Sequence, residues 1–428
     1  MTAVTFVDRH LRPVVEELLG DLRVVVVNGP RQSGKTTLLR QIHAAHGGGF
    51  YTLDQPELYR FAIDDPIGFV RDARRPTFID EVQRGGDDFV RAIKIAVDED
   101  PRPGSFILSG SSRFLAIPTL SESLVGRAAV LDLWPLAVAE RAGVWPRLID
   151  QILTDHASLR ALPPSSLTRL DYLRLACTGG FPELLRARSA RGRANWFRGY
   201  LTTVVQRDIR ELTQVRQAAE LPRMLSLLAG RTAQPVKAAP LAESLGLDHS
   251  TVARYLPLLE QVYLIHFLPA WSNNLTARAT RTPKMHFVDT GVVARLINRS
   301  PQSLAESHST EAGAIFETFV VNEIMKQAAL AESEVQMFHY RDRDGAEIDC
   351  LLETPDRRIV GIETKLAMTV NEADLRHLRA MRDRQGDRFI CGLLIYCGQH
   401  VIPFGDRLLA VPASALWSGA PVPDSLND

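Results

Sequence analysis

The chain has 428 residues, 50 of them basic and 50 acidic, so its formal net charge is zero. Hydrophobic residues make up 45% and charged residues 23%, a globular composition that excludes a disordered or fibrous chain. Zero net charge excludes attraction of the whole molecule to nucleic acid but leaves room for a local basic face.

The length suggests about three domains. Only six of the basic residues are lysine: Lys35, Lys94, Lys237, Lys284, Lys326 and Lys365. The plain reading is a genome-wide coding bias; an ammonium is a compact point charge and a guanidinium a planar fork, so a lysine kept among so many arginines is a candidate for a position where the two are not interchangeable. Cys177, Cys350, Cys391 and Cys397 form no C-x-x-C pair, which argues against a zinc site or a disulfide framework. The N-terminus has no apolar signal region, and no apolar run approaches the ~20 residues of a membrane span. The expected compartment is the cytoplasm, with no membrane partner.

Residues 1–142 alternate short β-branched runs with helical stretches. Strands are expected at Leu22–Asn28, Phe50–Asp54, Thr77–Asp80, Ser105–Ser109 and Ala128–Leu133, and helices at Thr36–His43 and Asp88–Val97. That alternation predicts α/β architecture with a parallel sheet.

After the first strand, Gly29-Pro30-Arg31-Gln32-Ser33-Gly34-Lys35-Thr36 fits the phosphate-binding pattern G-x-x-x-x-G-K-[ST], with Thr37 next in the helix. Glycines permit close backbone approach, loop amides and the helix N-terminus face phosphate oxygens, Lys35 reaches the outer phosphates, and the Thr36 hydroxyl offers itself to Mg²⁺. The third strand ends in Asp80-Glu81. Asp80 would hold Mg²⁺ through water and Glu81 would activate the attacking water, although an acid pair is often only a solvated strand end. The fourth strand ends in Ser109-Gly110-Ser111-Ser112. Ser109 and Ser111 are candidates to touch the γ-phosphate or its water, a plain turn being the alternative. Arg127, before the fifth strand, is a candidate to stabilise transition-state charge from its own or a neighbouring subunit.

Residues 143–215 read as helical without strands. The acid-free stretch Arg186–Arg198 reads first as a solvated helix or loop, with a phosphate-binding face as the alternative. Residues 216–300 show a helix at Leu241–Leu245, a turn at Gly246-Leu247-Asp248, a helix at Ser250–Glu260 and extended pieces at Tyr263–Leu268 and Met285–Val288, the pattern of a winged helix-turn-helix. The second helix carries one sure cation, Arg254, which is poor for a helix reading the major groove. Arg278, Arg281 and Lys284 after it remain candidates for backbone contacts.

Residues 301–418 suggest a small α/β domain: a helix at Gly313–Met325, strands at Met337–Tyr340, Ile348–Leu352, Ile359–Lys365, Phe389–Tyr396 and Leu408–Val411, and a helix at Asn371–Arg382. Residues 419–428 read as a loose tail. Alternation puts Glu363 and Lys365 on one strand face, and a hairpin would bring Asp349 to Glu363, with Glu317 supplying a third carboxylate from the helix. Such a set can hold a divalent cation and position a water, with Lys365 steadying developing charge. A solvated strand pair with a salt bridge is the plain alternative.

Together GPRQSGKTTLL, FIDEVQ, FILSGSSRF, SLVGRAAVLDLWPLAVAE, CTGGFPE, TVARYLPLLE, MHFVDTGVVARL, IFETFVVNEI, RDRDGAEIDCLLE and GIETK resemble a large prokaryotic family of AAA-type P-loop ATPases with a C-terminal domain of unknown function. The resemblance spans nearly the whole chain. It implies binding of ATP with Mg²⁺, ATP hydrolysis, a winged helix in the middle and a C-terminal restriction-endonuclease-like, PD-(D/E)xK-type domain. In that domain Glu317, Asp349, Glu363 and Lys365 match the metal and catalytic positions.

The leading expectation is an ATP-hydrolysing protein acting on DNA or RNA through that domain, with a homo-oligomer possible. The alternative is a nucleotide-controlled switch or scaffold that binds protein partners without cleaving nucleic acid. A small-molecule kinase is a weaker third.

Overall fold

The computed structural model describes residues 7–113, 124, 126–187, 189–209, 220–306, 310–342 and 344–421. The expected boundary at 215/216 and most of the expected tail lie outside these. Two compact units form, one from residues 1–136 with 261–264 and one from 137–260 with 265–428.

The first unit is built on five strands: β1 (Val24–Asn28), β2 (Gly49–Thr52), β3 (Thr77–Asp80), β4 (Phe106–Gly110) and β5 (Ala128–Asp132). Their order is β2-β3-β4-β1-β5 and every pairing is parallel. All five residues of β1 are buried, which explains its unbroken Val run: a central strand of a covered parallel sheet has no solvent face. Val24, Val26, Ile79, Phe106 and Leu108 meet Phe89 and Ile93 of the helix Gly86–Glu99 in one core. The helices Pro56–Asp64 and Pro66–Asp72 were not expected from the sequence; each starts with proline in its first turn, where a missing N–H costs nothing. Because the strands are parallel, the segments after β1, β3 and β4 emerge on one edge of the sheet. The registers set Val27 beside Ser109 and Ile79 beside Leu108, so Asp80 adjoins Ser109.

In the second unit, helices at Val138–Ala142, Leu148–Asp155, Arg169–Thr178 and Ala190–Thr203 come first. Next, helices at Leu221–Ala229, Ala238–Leu245 and His249–Gln261 accompany an antiparallel sheet of β6 (Gln234–Pro235), β7 (Ile265–Leu268) and β8 (Lys284–Phe287), in the order β6-β8-β7. Gly246, at φ +66, ends the helix before the expected tight turn. Two-residue β6 is too short to show periodicity.

A helix at Thr310–Ala328 leads into β9 (Gln336–Arg341), β10 (Glu347–Glu353), β11 (Ile359–Lys365), β12 (Phe389–Tyr396), β13 (Ile402–Pro403) and β14 (Leu408–Pro412). The sheet order is β13-β14-β12-β11-β10-β9, mixed in direction, with β10 and β11 antiparallel as a hairpin. The single helix expected at Asn371–Arg382 is a 3₁₀ turn, Glu372–Leu375, followed by the helix Arg376–Gln385.

Buried polar groups tie the parts of this unit together. The Asp289 carboxylate accepts from Val292 N (3.1 Å) and from Gly180 N (2.7 Å). Gly179 has φ +73, and a Cβ there would stand 2.5 Å from Asp289 Oδ1. Asn322 donates to the Phe287 and Val288 carbonyls, and Glu323 accepts from Val138 N.

Candidate functional sites

In the first unit the turn after β1 departs from ordinary backbone geometry where the sequence has glycine. Gly29 has φ +152, and a Cβ would lie 2.3 Å from the Leu133 carbonyl oxygen. Gly34, at φ +98, precedes the helix Lys35–His46, and Gln32 between them also has positive φ. The Pro30 carbonyl accepts from Ser33 N (3.2 Å), while the Ser33 hydroxyl is buried without a hydrogen-bond partner among the described residues.

Lys35 is buried and its ammonium donates to the carbonyls of Gly29 (2.8 Å) and Pro30 (2.9 Å). A cation folded onto its own loop, an unpaired hydroxyl and a cradle only glycine can line fit an incoming phosphate group. Arg31, Thr36 and Thr37 are half-buried around the loop. From the N-terminal segment, buried Arg9 donates to the Ser33 carbonyl (2.6 Å) and the Trp134 carbonyl (2.7 Å), pinning the loop from behind.

Both carboxylate oxygens of Asp80 are engaged. Thr36 Oγ1 donates to one (2.8 Å) and Ser109 Oγ to the other (2.5 Å). Burial lifts the Asp80 carboxyl above its ordinary range, against the lowering effect of the Ser109 and Thr36 hydroxyls. A threonine hydroxyl and a carboxylate side by side at a phosphate cradle are hard oxygen donors of the kind that hold Mg²⁺.

Glu81 leaves the strand with φ 57 and ψ 43, a left-handed conformation rare for a side-chain-bearing residue, and this turns it away from Asp80. Its Oε2 accepts from Ser111 Oγ (3.0 Å) and Gln83 Nε2 (2.5 Å), and Gln83 also donates to Ser111 (3.0 Å). Arg9 and Gln83 were not expected from the sequence: Arg9 is placed by Ser33 and Trp134 far along the chain, and Gln83 bridges nearby Glu81 to Ser111, 28 residues on.

As a group acting on its own chain's phosphate loop, Arg127 is a correction. It precedes β5 and therefore lies at the opposite edge of the sheet from the phosphate loop, about five strand residues, or roughly 16 Å, away. Its guanidinium grips Asp98 through Nε (2.6 Å) and Nη2 (2.9 Å). It does not reach the phosphate loop of its own chain.

The second unit holds the other acidic set, but with a different lysine. A cleft of about 670 Å³ is lined by Glu317, Glu347, Asp349, Glu363, Lys365 and Arg376, among others. Lys284, the first residue of β8, is 1% exposed and puts its ammonium 2.6 Å from Glu317, 2.8 Å from Glu347 and 3.3 Å from Asp349. Burial alone would push that ammonium down; Glu317, Asp349 and Glu347 outweigh it and hold it above the ordinary lysine range. Asp349 spends its other oxygen on Thr364, accepting from N (2.9 Å) and Oγ1 (2.8 Å).

Glu363 keeps one buried oxygen without a hydrogen bond among the described residues, 3.8 Å from His377 Nδ1. Burial, then Asp349, pushes its carboxyl up to about 8. Lys365, expected at the centre, is half-exposed and bonds Asp374 (2.6 Å). Among the described residues no group of three or more His, Cys, Asp or Glu side chains is placed to hold a metal ion. Two of the three expected metal ligands, Glu317 and Asp349, are instead bonded to the Lys284 ammonium, and Glu363 is not.

The expected backbone-contacting cations are also spoken for. Arg278 makes a bidentate pair with Glu353 (2.6 and 2.8 Å), Arg281 donates to the Trp271 carbonyl (3.3 Å), and Lys284 is buried.

The chain is 31% identical over 405 residues to the uncharacterized protein Rv2008c of Mycobacterium tuberculosis, covering 94% of this chain and 83% of that one. The chain belongs to that protein's family. Within this family member, residues 21–142 match an AAA domain, 169–303 a domain of unknown function (DUF8612), and 312–416 another (DUF4143). Its N-terminal part carries an AAA-type P-loop domain. The uncharacterized protein MJ1544 of Methanocaldococcus jannaschii is 22% identical, covering 87% of this chain and 82% of its own length.

Among solved structures, the Walker-type ATPase PABY2304 of Pyrococcus abyssi is 16% identical, covering 68% of this chain and 96% of its own, at a TM-score of 0.40. The Thermotoga maritima RuvB Holliday junction branch migration motor is 20% identical, covering 62% and 91%, at 0.26. Scores this low carry no argument about function. Among the described residues no helix is long and apolar enough to cross a membrane.

Proposed function

We propose that this family member is a Mg²⁺-dependent ATPase that acts on nucleic acid. The observation that carries the ATPase reading is the Thr36–Asp80–Ser109 hydrogen-bonded set beside the phosphate loop, with Glu81 one residue on and separately held. When bound, Mg²⁺ neutralises phosphate charge. Loop amides and Lys35 orient the phosphates; Thr36 and Asp80 hold the metal; Glu81 takes the proton of the attacking water. Lys35→Ala should raise the Kd for a fluorescent ATP analogue about 100-fold or more, since it removes the one buried cation of the loop. Unchanged binding would sink the assignment.

What supports the nucleic-acid part is a basic groove in the second unit. Two adjoining pockets of about 590 and 410 Å³ share Arg295 and Asn298. Their described lining includes Arg174, Arg193, Arg198, Arg295 and Arg299, and no Asp or Glu. An acid-free arginine groove on a chain of zero net charge suits a phosphate backbone, contacted without reading sequence. The three helices and three-stranded sheet of residues 221–287 support a winged-helix reading for the neighbouring segment, used structurally rather than for groove reading. Binding of a fluorescent oligonucleotide should weaken steeply with salt, and Arg295→Ala/Arg299→Ala should flatten that dependence. Salt-independent or absent binding would favour the second reading, a nucleotide-controlled protein-binding switch.

A further inference from the structure

We propose that Lys284 is the resident cation of the C-terminal acidic cleft, standing where a divalent metal would otherwise be held, so that this cleft binds its ligands without a metal ion. The geometry is specific. The ammonium touches one oxygen each of Glu317, Glu347 and Asp349 at 2.6, 2.8 and 3.3 Å. Asp349's second oxygen is committed to Thr364.

A Mg²⁺ needs carboxylate oxygens at about 2.0–2.1 Å and near-octahedral freedom around it, which oxygens already bonded to an ammonium do not offer. Like charges at such a distance also repel strongly in a buried site. Lys284 is no substitute for the catalytic lysine that the C-terminal motif led one to expect. At 1% exposure it cannot touch a scissile phosphate, whereas the exposed lysine of that motif, Lys365, is drawn off to Asp374.

The identity of the residue fits the role. Three carboxylates converging on one point suit a compact ammonium, and a planar guanidinium fork does not. The backbone fixes the plug: Lys284 heads the central strand of its sheet, paired with Pro235 on β6 and Leu268 on β7.

The test uses the full chain carrying Asp80→Asn, which silences the metal position of the ATPase site and makes this result independent of the ATPase reading. Mn²⁺ is titrated without nucleotide and followed by calorimetry and electron paramagnetic resonance. With Lys284 present, no site tighter than about 1 mM is expected. Lys284→Ala should create one site at least about tenfold tighter, lost again on adding Asp349→Asn. If Lys284→Ala fails to fold, Lys284→Met/Glu317→Gln removes one charge of each sign and should show the same gain from Glu347 and Asp349. A Mn²⁺ site in the Lys284-containing chain that Asp349→Asn abolishes would overturn the proposal, as would a folded Lys284 variant that gains none.

Discussion

Ser111→Ala probes the least conspicuous part of the ATPase site. The Ser111 hydroxyl donates to Glu81 Oε2 at 3.0 Å and accepts from Gln83 at 3.0 Å, so it fixes the carboxylate that would take the proton of the attacking water. A hydrogen bond to a charged group is worth about 1.5–3 kcal/mol, and each 1.36 kcal/mol of barrier is tenfold in rate. Gln83 still holds the same oxygen at 2.5 Å in the variant, so the lower end applies and kcat should fall about tenfold. The KM for ATP should stay within twofold, because Ser111 has no contact with the phosphate loop among those described. Ser111→Thr, which keeps the hydroxyl, should recover most of the rate. The assay is steady-state phosphate release with Mg²⁺. A wild-type kcat in Ser111→Ala, or a loss confined to KM, would refute the reasoning.

Arg127→Ala should leave kcat within twofold, since its guanidinium is held by Asp98 at the far edge of the sheet; a fall of a hundredfold would show that a neighbouring subunit uses it. His339 is buried, and burial, then Lys284, lowers its pKa to about 4, so the folded state takes up fewer protons than the unfolded chain between about pH 6.5 and 4. Stability should therefore fall as pH drops through that window, by roughly 3 kcal/mol at 1.36 kcal/mol per pH unit, and His339→Gln should reduce the slope in urea titrations at pH 7.5 and 4.5. Buried His286, its pKa also lowered well below the ordinary value, adds to the same trend. Asp289→Ala should cost roughly 2–5 kcal/mol, because it leaves the Gly180 and Val292 amides buried and unpaired; a melting temperature within 1 °C of wild type, where a cost of that size implies at least about 4 °C, would contradict this.

Most of the α/β framework was legible because its signals are local. The Val run of β1, the phosphate-loop glycines and the strand ending in Asp80 each declare themselves within a few residues. β3, β11 and β12 fall where the sequence placed them, since buried strands are short apolar runs with sharp ends.

What was not legible depends on partners distant in the chain. Arg9 under the phosphate loop comes from 24 residues upstream of Ser33, and nothing in its neighbours marks it. Arg127 was a candidate by its place before the fifth strand, but strand direction sets that place, and the start of β5 lies away from its own chain's phosphate loop. Lys365 sat in a suggestive E-x-K spacing and Lys284 in none, yet Lys284 heads a buried strand that crosses to the acids. The sequence marked Lys284 as a lysine kept among arginines and as a candidate for backbone contacts, and neither signal named its carboxylate partners.

The most direct test of the central claim is ATP turnover by the wild-type chain and Glu81→Gln at saturating ATP and Mg²⁺, with nucleotide binding measured on both. The amide keeps a hydrogen-bond acceptor for Ser111 but not the base. The expected result is steady phosphate release by wild type, a fall of about 10²–10⁴-fold in Glu81→Gln, and ATP bound equally by both. Equal turnover by the two proteins, or no turnover by wild type despite tight ATP binding, would contradict it.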